Sequence, residues 1–149
     1  MTDIAMPMET IVTVEQAQTL YDASNKIVKM TFIGDLSDDS YKAFWTKSID
    51  FAEKHQLNRI IIDQRQIGNV SFNARGWVVI SAFPRVKKVL PKNMAAAILG
   101  SDKIMQKTGM QYLLKAFRTL TGYKVEILPD HEEAVTFLKK VNTLVQVPA

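Results

Sequence analysis

The residues able to do covalent or acid–base chemistry in this chain are few. It has no cysteine, which excludes disulfides, thiolate metal sites and a cysteine nucleophile. Its two histidines, His55 and His131, do not stand at ligand spacing from one another, so no metal site is expected. Asp38 and Asp39, and Glu132 and Glu133, fall at the starts of expected helices, where capping and the helix dipole account for them. Asp63 is different. It closes the run Arg59-Ile60-Ile61-Ile62-Asp63, which reads as a buried central strand. The C-terminal edge of such a strand is where parallel sheets commonly bind ligands. Arg65 is close enough to pair with it; the competing reading is that Asp63 satisfies amides of its own loop. Gly68 and Gly76 are isolated and match neither a P-loop nor a dinucleotide fingerprint. No cofactor and no enzymatic activity are expected.

The segment from Gln64 to Ser101 points elsewhere. It contains no acidic residue, carries Arg65, Arg75, Arg85, Lys87, Lys88 and Lys92, and is dense in large apolar groups. Charge is divided unevenly: residues 1–63 hold ten acids and six bases, residues 64–149 five acids and thirteen bases. The C-terminal part therefore suits an anionic ligand, a lipid headgroup or an acidic protein face, or is simply a solvated basic surface. Bases are not interleaved with aromatics as in an RNA-binding sheet, so nucleic acid is not the expected partner. No window approaches the ~18 apolar residues of a membrane span, and the start Met1-Thr2-Asp3-Ile4 is not a secretory signal; a cytoplasmic location is expected.

These residues must be positioned by alternating elements. Residues 1–9 read as a flexible leader, 10–142 as a single domain and 143–149 as a tail. Ile11–Val14 suits a short edge strand, and Ala17–Asp22 and Ile27–Ile33 alternate as the two arms of a hairpin. Ser37 caps a helix that runs to about His55. After the strand at 59–63, Ser71 or Asn73 caps a helix from Phe72 to about Ala82, where Pro84 imposes a kink or break; Arg85–Val89 adds one turn before Pro91. Met94–Leu99 is a buried strand, Lys103–Leu120 a long amphipathic helix, Tyr123–Leu128 the last strand, and Asp130 with Glu133 a capping box for the final helix. The fold class is α/β: a small sandwich with a mixed, largely parallel sheet of about five strands and four helices.

The helix from Phe72 is overloaded. Trp77, Val78, Val79 and Ile80 are consecutive, so apolar groups cover most of its circumference, and only one face can lie on a sheet. The remainder must meet the C-terminal segment, a second subunit, another protein or an apolar ligand. Phe72, Trp77, Ile80, Phe83 and Val86 are the expected apolar lining of a ligand site. Arg75, Arg85, Lys87 and Lys88 would stand at its mouth for an anionic group. The opposite wall would be the long helix with Met105, Met110, Tyr112, Leu113, Leu114 and Phe117. A lipid-like anionic molecule fits that lining; a protein partner or a homodimer fits it too.

From about Leu20 to Leu138 the chain resembles the SpoIIAA-like group of STAS domains, also described as STAS/SEC14-like. The resemblance rests on Gly34-Asp35-Leu36-Ser37, on Arg59–Asp63, on Met94–Leu99, and on Glu132-Glu133-Ala134 with Phe137-Leu138. It implies a STAS-like sandwich and either a regulatory interaction module, as in anti-sigma-factor antagonists, or association with apolar ligands. Antagonist-type members carry a phosphorylatable serine after an aspartate at the start of the helix following the central strand. Counted from Asp63, those places fall on Phe72 and Ser71, so Ser71 stands where the family has its acid and is the only phosphorylation candidate there.

Overall fold

The computed structural model describes residues 8–100 and 110–142. β1 (Glu9–Val14), β2 (Ala17–Asp22) and β3 (Ile27–Gly34) form an antiparallel meander. β3 then pairs in parallel with β4 (Arg59–Ile67), β4 with β5 (Ala95–Leu99) and β5 with β6 (Lys124–Leu128), so spatial order follows sequence order. The sheet has six strands rather than about five, because β1 begins at Glu9 and pairs along its length with β2. β4 continues to Ile67, four residues past the expected end at Asp63.

Among the described residues four helices cover the sheet: α1 (Asp38–Lys54), α2 (residues 72–89), α3 (Met110–Thr121) and α4 (His131–Val141). Crossovers that step in one direction keep their helices on one face. Accordingly α1, α2 and α3 share a core with Val28, Met30 and Phe32 of β3, Ile62 of β4, and Ala96 and Ile98 of β5. The alternate residues Ile27, Ile61, Ala95, Ala97 and Leu99 face the other way and pack against Ala134 and Leu138 of α4. The start of the expected helix Lys103–Leu120, with Met105, lies outside the described residues, as do most of the leader and the tail.

Caps fall where the sequence places them. Ser37 accepts from Ser40 N at 3.2 Å, Ser71 from Ala74 N at 3.0 Å, and Asp130 from Glu133 N at 2.9 Å. Gly68 is needed for a close approach: its N–H donates to Gly34 O at 2.7 Å, and a Cβ there would strike Asp35 and the Gly34 backbone. That crossing sets the starts of α1 and α2 side by side. The far end of α4 is tied down by Asn142, which accepts from Arg59 Nε at 2.8 Å and donates to Asn58 O at 2.7 Å.

Of the two outcomes expected at Pro84, the break does not occur. Phe72–Trp77 is α-helical, Val78–Ala82 is a π turn, and Phe83–Val89 resumes the α form, with Phe83 itself helical at φ −63°, ψ −45°. Proline lacks the N–H for the bond to residue i−4, and its ring collides with that carbonyl in a regular helix. The wider turn accommodates the proline: Phe83 N–H reaches back five residues to Val78 O. The helix ends at Leu90, which is extended before Pro91.

The π turn also sets the facing of α2. Residues four apart advance about 40° around an α-helix, so a stripe at 74, 78, 82, 86 and 90 would drift by ~160°. One extra residue in a turn returns roughly 100° of that. Ala74, Val78, Ala82, Val86 and Leu90 are all buried, and Phe83 joins them. Phe83 stands edge-on to Trp45 of α1 (centroids 5.9 Å apart) and to Phe117 of α3 (4.9 Å), linking the three helices.

This facing gives a direct stability contrast, read by urea denaturation. Phe83→Ala is expected to cost ~3–5 kcal/mol. Ile80→Ala should stay within about 0.5 kcal/mol. Equal losses at the two positions would contradict the described register of α2.

Candidate functional site

The nine candidate ligand residues on α2 do not converge on one site. Phe83 and Val86 point inward and belong to the core. Phe72 and Ile80 point outward, at 81% and 76% exposure the most exposed large apolar residues among those described. Trp77 lies between, half-buried against the core edge. Arg85 is committed within the molecule, donating to Asp50 at 2.5 Å and Glu53 at 3.0 Å on α1. Arg75 is half-buried near Tyr41, whose hydroxyl pKa is pushed up to about 12 by burial, with the Arg75 charge opposing the shift. Lys87 and Lys88 are exposed near the C-terminal end of the helix.

Where it is described, the expected cleft between α2 and α3 is occupied by the protein's own side chains: Leu113, Leu114 and Phe117 are buried, Phe117 edge-on to Phe83, while Tyr112 is exposed. Among the described residues two cavities of about 20 Å³ each lie beneath the helices, and Trp45, Ile62, Ala96 and Phe117 border both. Alanine at position 96 of β5 leaves that space unfilled. Each cavity holds about one water molecule, not an acyl chain. Gln64, only 4% exposed, borders one of them, and its Oε1 has no hydrogen-bond partner among the described residues. The sequence offered no sign of this, because Gln64 follows the expected end of β4.

On the opposite face, Asp63 lies in a polar cluster. Arg65 grips it through Nε at 2.9 Å and Nη2 at 2.8 Å, and Lys29 Nζ of β3 lies 3.8 Å away. Burial would raise the Asp63 carboxyl; the hydrogen bonds and charges of Arg65, with the charge of Lys29, outweigh it and hold the group below the usual carboxylate range. Lys29 Nζ also lies 3.2 Å from His131 Nδ1, at the start of α4. An ammonium has only donors, so Nδ1 accepts and the neutral ring carries its proton on Nε2. Burial, reinforced by the charge of Lys29, depresses the His131 pKa; burial likewise lowers that of Lys29. The pairing of Asp63 with Arg65 was readable from the sequence; Lys29 and His131, 102 residues apart, were not.

Ser71 is exposed and occupied as a cap, and its hydroxyl also donates to Asp38 Oδ1 at 2.5 Å. A phosphoryl group there would meet a carboxylate at close range. No cluster of three or more metal-ligating side chains, and no helix long and apolar enough to cross a membrane, occurs among the described residues.

No protein-family model matches the chain, and no curated protein matches it. Its structure is similar to the crystal structure of an uncharacterised DUF3478-family protein with a SpoIIAA-like fold from Shewanella loihica PV-4. The TM-score is 0.52 and the identity 15%, over 89% of this chain and 92% of that one. The chain therefore has a SpoIIAA-like fold, as its sequence resemblance implies. At this identity the likeness extends to the fold alone.

The polar cluster sets a pH dependence. Because the folded state favours neutral His131, the stability it contributes is complete above the ordinary histidine value of 6.5 and is lost as pH falls below it. Loss from Asp63 comes later, below the ordinary aspartate value of 3.8. NMR titration of the His131 ring should give a pKa below 6.5, moved upward in Lys29→Gln. A value at or above 6.5 would contradict the Lys29–His131 contact.

Proposed function

We propose that this chain is a non-catalytic interaction domain that recognises a protein partner through the solvent face of α2. Phe72 and Ile80 are its anchors, and Lys87 and Lys88 favour carboxylates at one end of the contact. The observation that carries this reading is the pair of large apolar side chains left in solvent on one helix. Burying each would contribute ~1.5–3 kcal/mol. Together they could shift an affinity by two to four orders of magnitude, at about 1.4 kcal/mol per tenfold change.

A catalytic reading has less support. The best-placed carboxylate, Asp63, is engaged by Arg65 and Lys29 rather than open to a substrate. Between α2 and α3, a lipid-like anionic ligand would have to part Phe83 from Phe117 and open two water-sized cavities, so the described part of that cleft favours it less than a contact outside the helix layer. The location in keeping with a cysteine-free interaction domain is the cytoplasm.

The test places a photo-reactive benzoylphenylalanine at Ile80 in the full chain inside cells. Discrete protein adducts, lost when Phe72→Ser is added, are the expected outcome. Lipid adducts alone would move the reading to an apolar ligand, and no adduct at all would reject the contact surface.

A further inference from the structure

We infer that the protein partner of α2 is a second copy of this chain, the two α2 helices crossing antiparallel about a two-fold axis near Gly76. The inference rests on the interaction reading above and deepens it. Gly76 lies four residues after Phe72 and four before Ile80, on the same side of the helix. Glycine inside a helix is unfavourable unless space requires it. Here the described residues supply no such reason: apart from the helix's own backbone and the two neighbouring residues, none places an atom within 4 Å of where its Cβ would stand, and its backbone has no positive φ. The outcome is a hollow between two projecting apolar groups. An antiparallel copy sets the partner's Ile80 beside Phe72 and brings the two hollows together, so the surface is complementary to itself, as a two-fold contact requires.

Charge selects the same orientation. The N-terminal end of α2 adjoins Asp38 and Asp39 of α1, with Asp38 bonded to Ser71. The C-terminal end carries Lys87 and Lys88, both exposed and used by no ion pair among the described residues. The two ends are about 24 Å apart along the helix. With the axis at Gly76, Lys87 and Lys88 lie about 17 Å along the helix and the partner's acidic end about 7 Å on the same side. Antiparallel docking thus brings the opposite charges to roughly a Debye length (~10 Å) of each other, whereas parallel docking would oppose like charges.

Sedimentation equilibrium of the full chain across a wide concentration range tests this. A reversible dimer that weakens with added salt is expected. Gly76→Leu should weaken it by about tenfold or more by filling the hollow, while thermal unfolding of the dilute monomer shows no loss of stability. Lys87→Glu with Lys88→Glu should also weaken it, and adding Asp38→Lys and Asp39→Lys should restore part of the loss. A wild-type chain that is monomeric at every concentration, or a dimer indifferent to Gly76→Leu, overturns the inference. If a monomeric chain still gives an Ile80 adduct with a different protein in cells, only the self-pairing fails. If that adduct is absent too, the interaction reading falls with it.

Discussion

Pro84 is the constraint on which the facing of α2 depends. A proline twelve residues past a helix start would ordinarily kink or end the helix. Here the turn before it is widened, the chain remains helical, and the extra residue re-aims everything that follows. Phe83 is thereby turned into the core between Trp45 and Phe117, and Ile80 is left outside with Phe72. The contacts that hold the helix layer together and the apolar side chains it leaves in solvent are two results of one backbone adjustment. π turns of this kind are often found at functional sites, where a local cost in helix geometry is retained for what it presents.

The sandwich itself was readable because its signals are local. Serine and aspartate caps, the alternation of β2 and β3, and the apolar runs of β4 and β5 each act within a few residues. α2 resisted for the same reason. Four consecutive apolar residues, Trp77 to Ile80, do not say which of them faces inward, and Pro84 reads as a stop unless the turn before it is known to be widened. The apolar residues of this helix divide between core and solvent instead of lining one cleft. Phe83 and Val86 satisfy the sheet, Arg85 is taken by α1, and Phe72 and Ile80 remain.

The polar cluster on the other face shows a second limit. Asp63 and Arg65 are two apart on one strand, so their side chains share a face and their pairing follows from the period of the strand. Lys29 and His131 arrive from β3 and α4, and only the order of strands in the sheet brings them together. Among the described residues that order sets α4 on one face and the other three helices on the opposite one. The charged cluster therefore secures the first turn of α4, while Asn142 and Arg59 secure its last. In this arrangement the acidic and basic groups are engaged with one another.

The central claim is that Ile80 faces outward into a contact between copies while Phe83 faces inward at all times. The absence of cysteine from the chain allows a direct measurement with single-cysteine variants. Thiol labelling of Ile80→Cys should be fast in dilute protein and slow where the chain dimerises, and labelling of Phe83→Cys should be slow throughout. Equal labelling rates at the two positions in dilute protein would contradict the account.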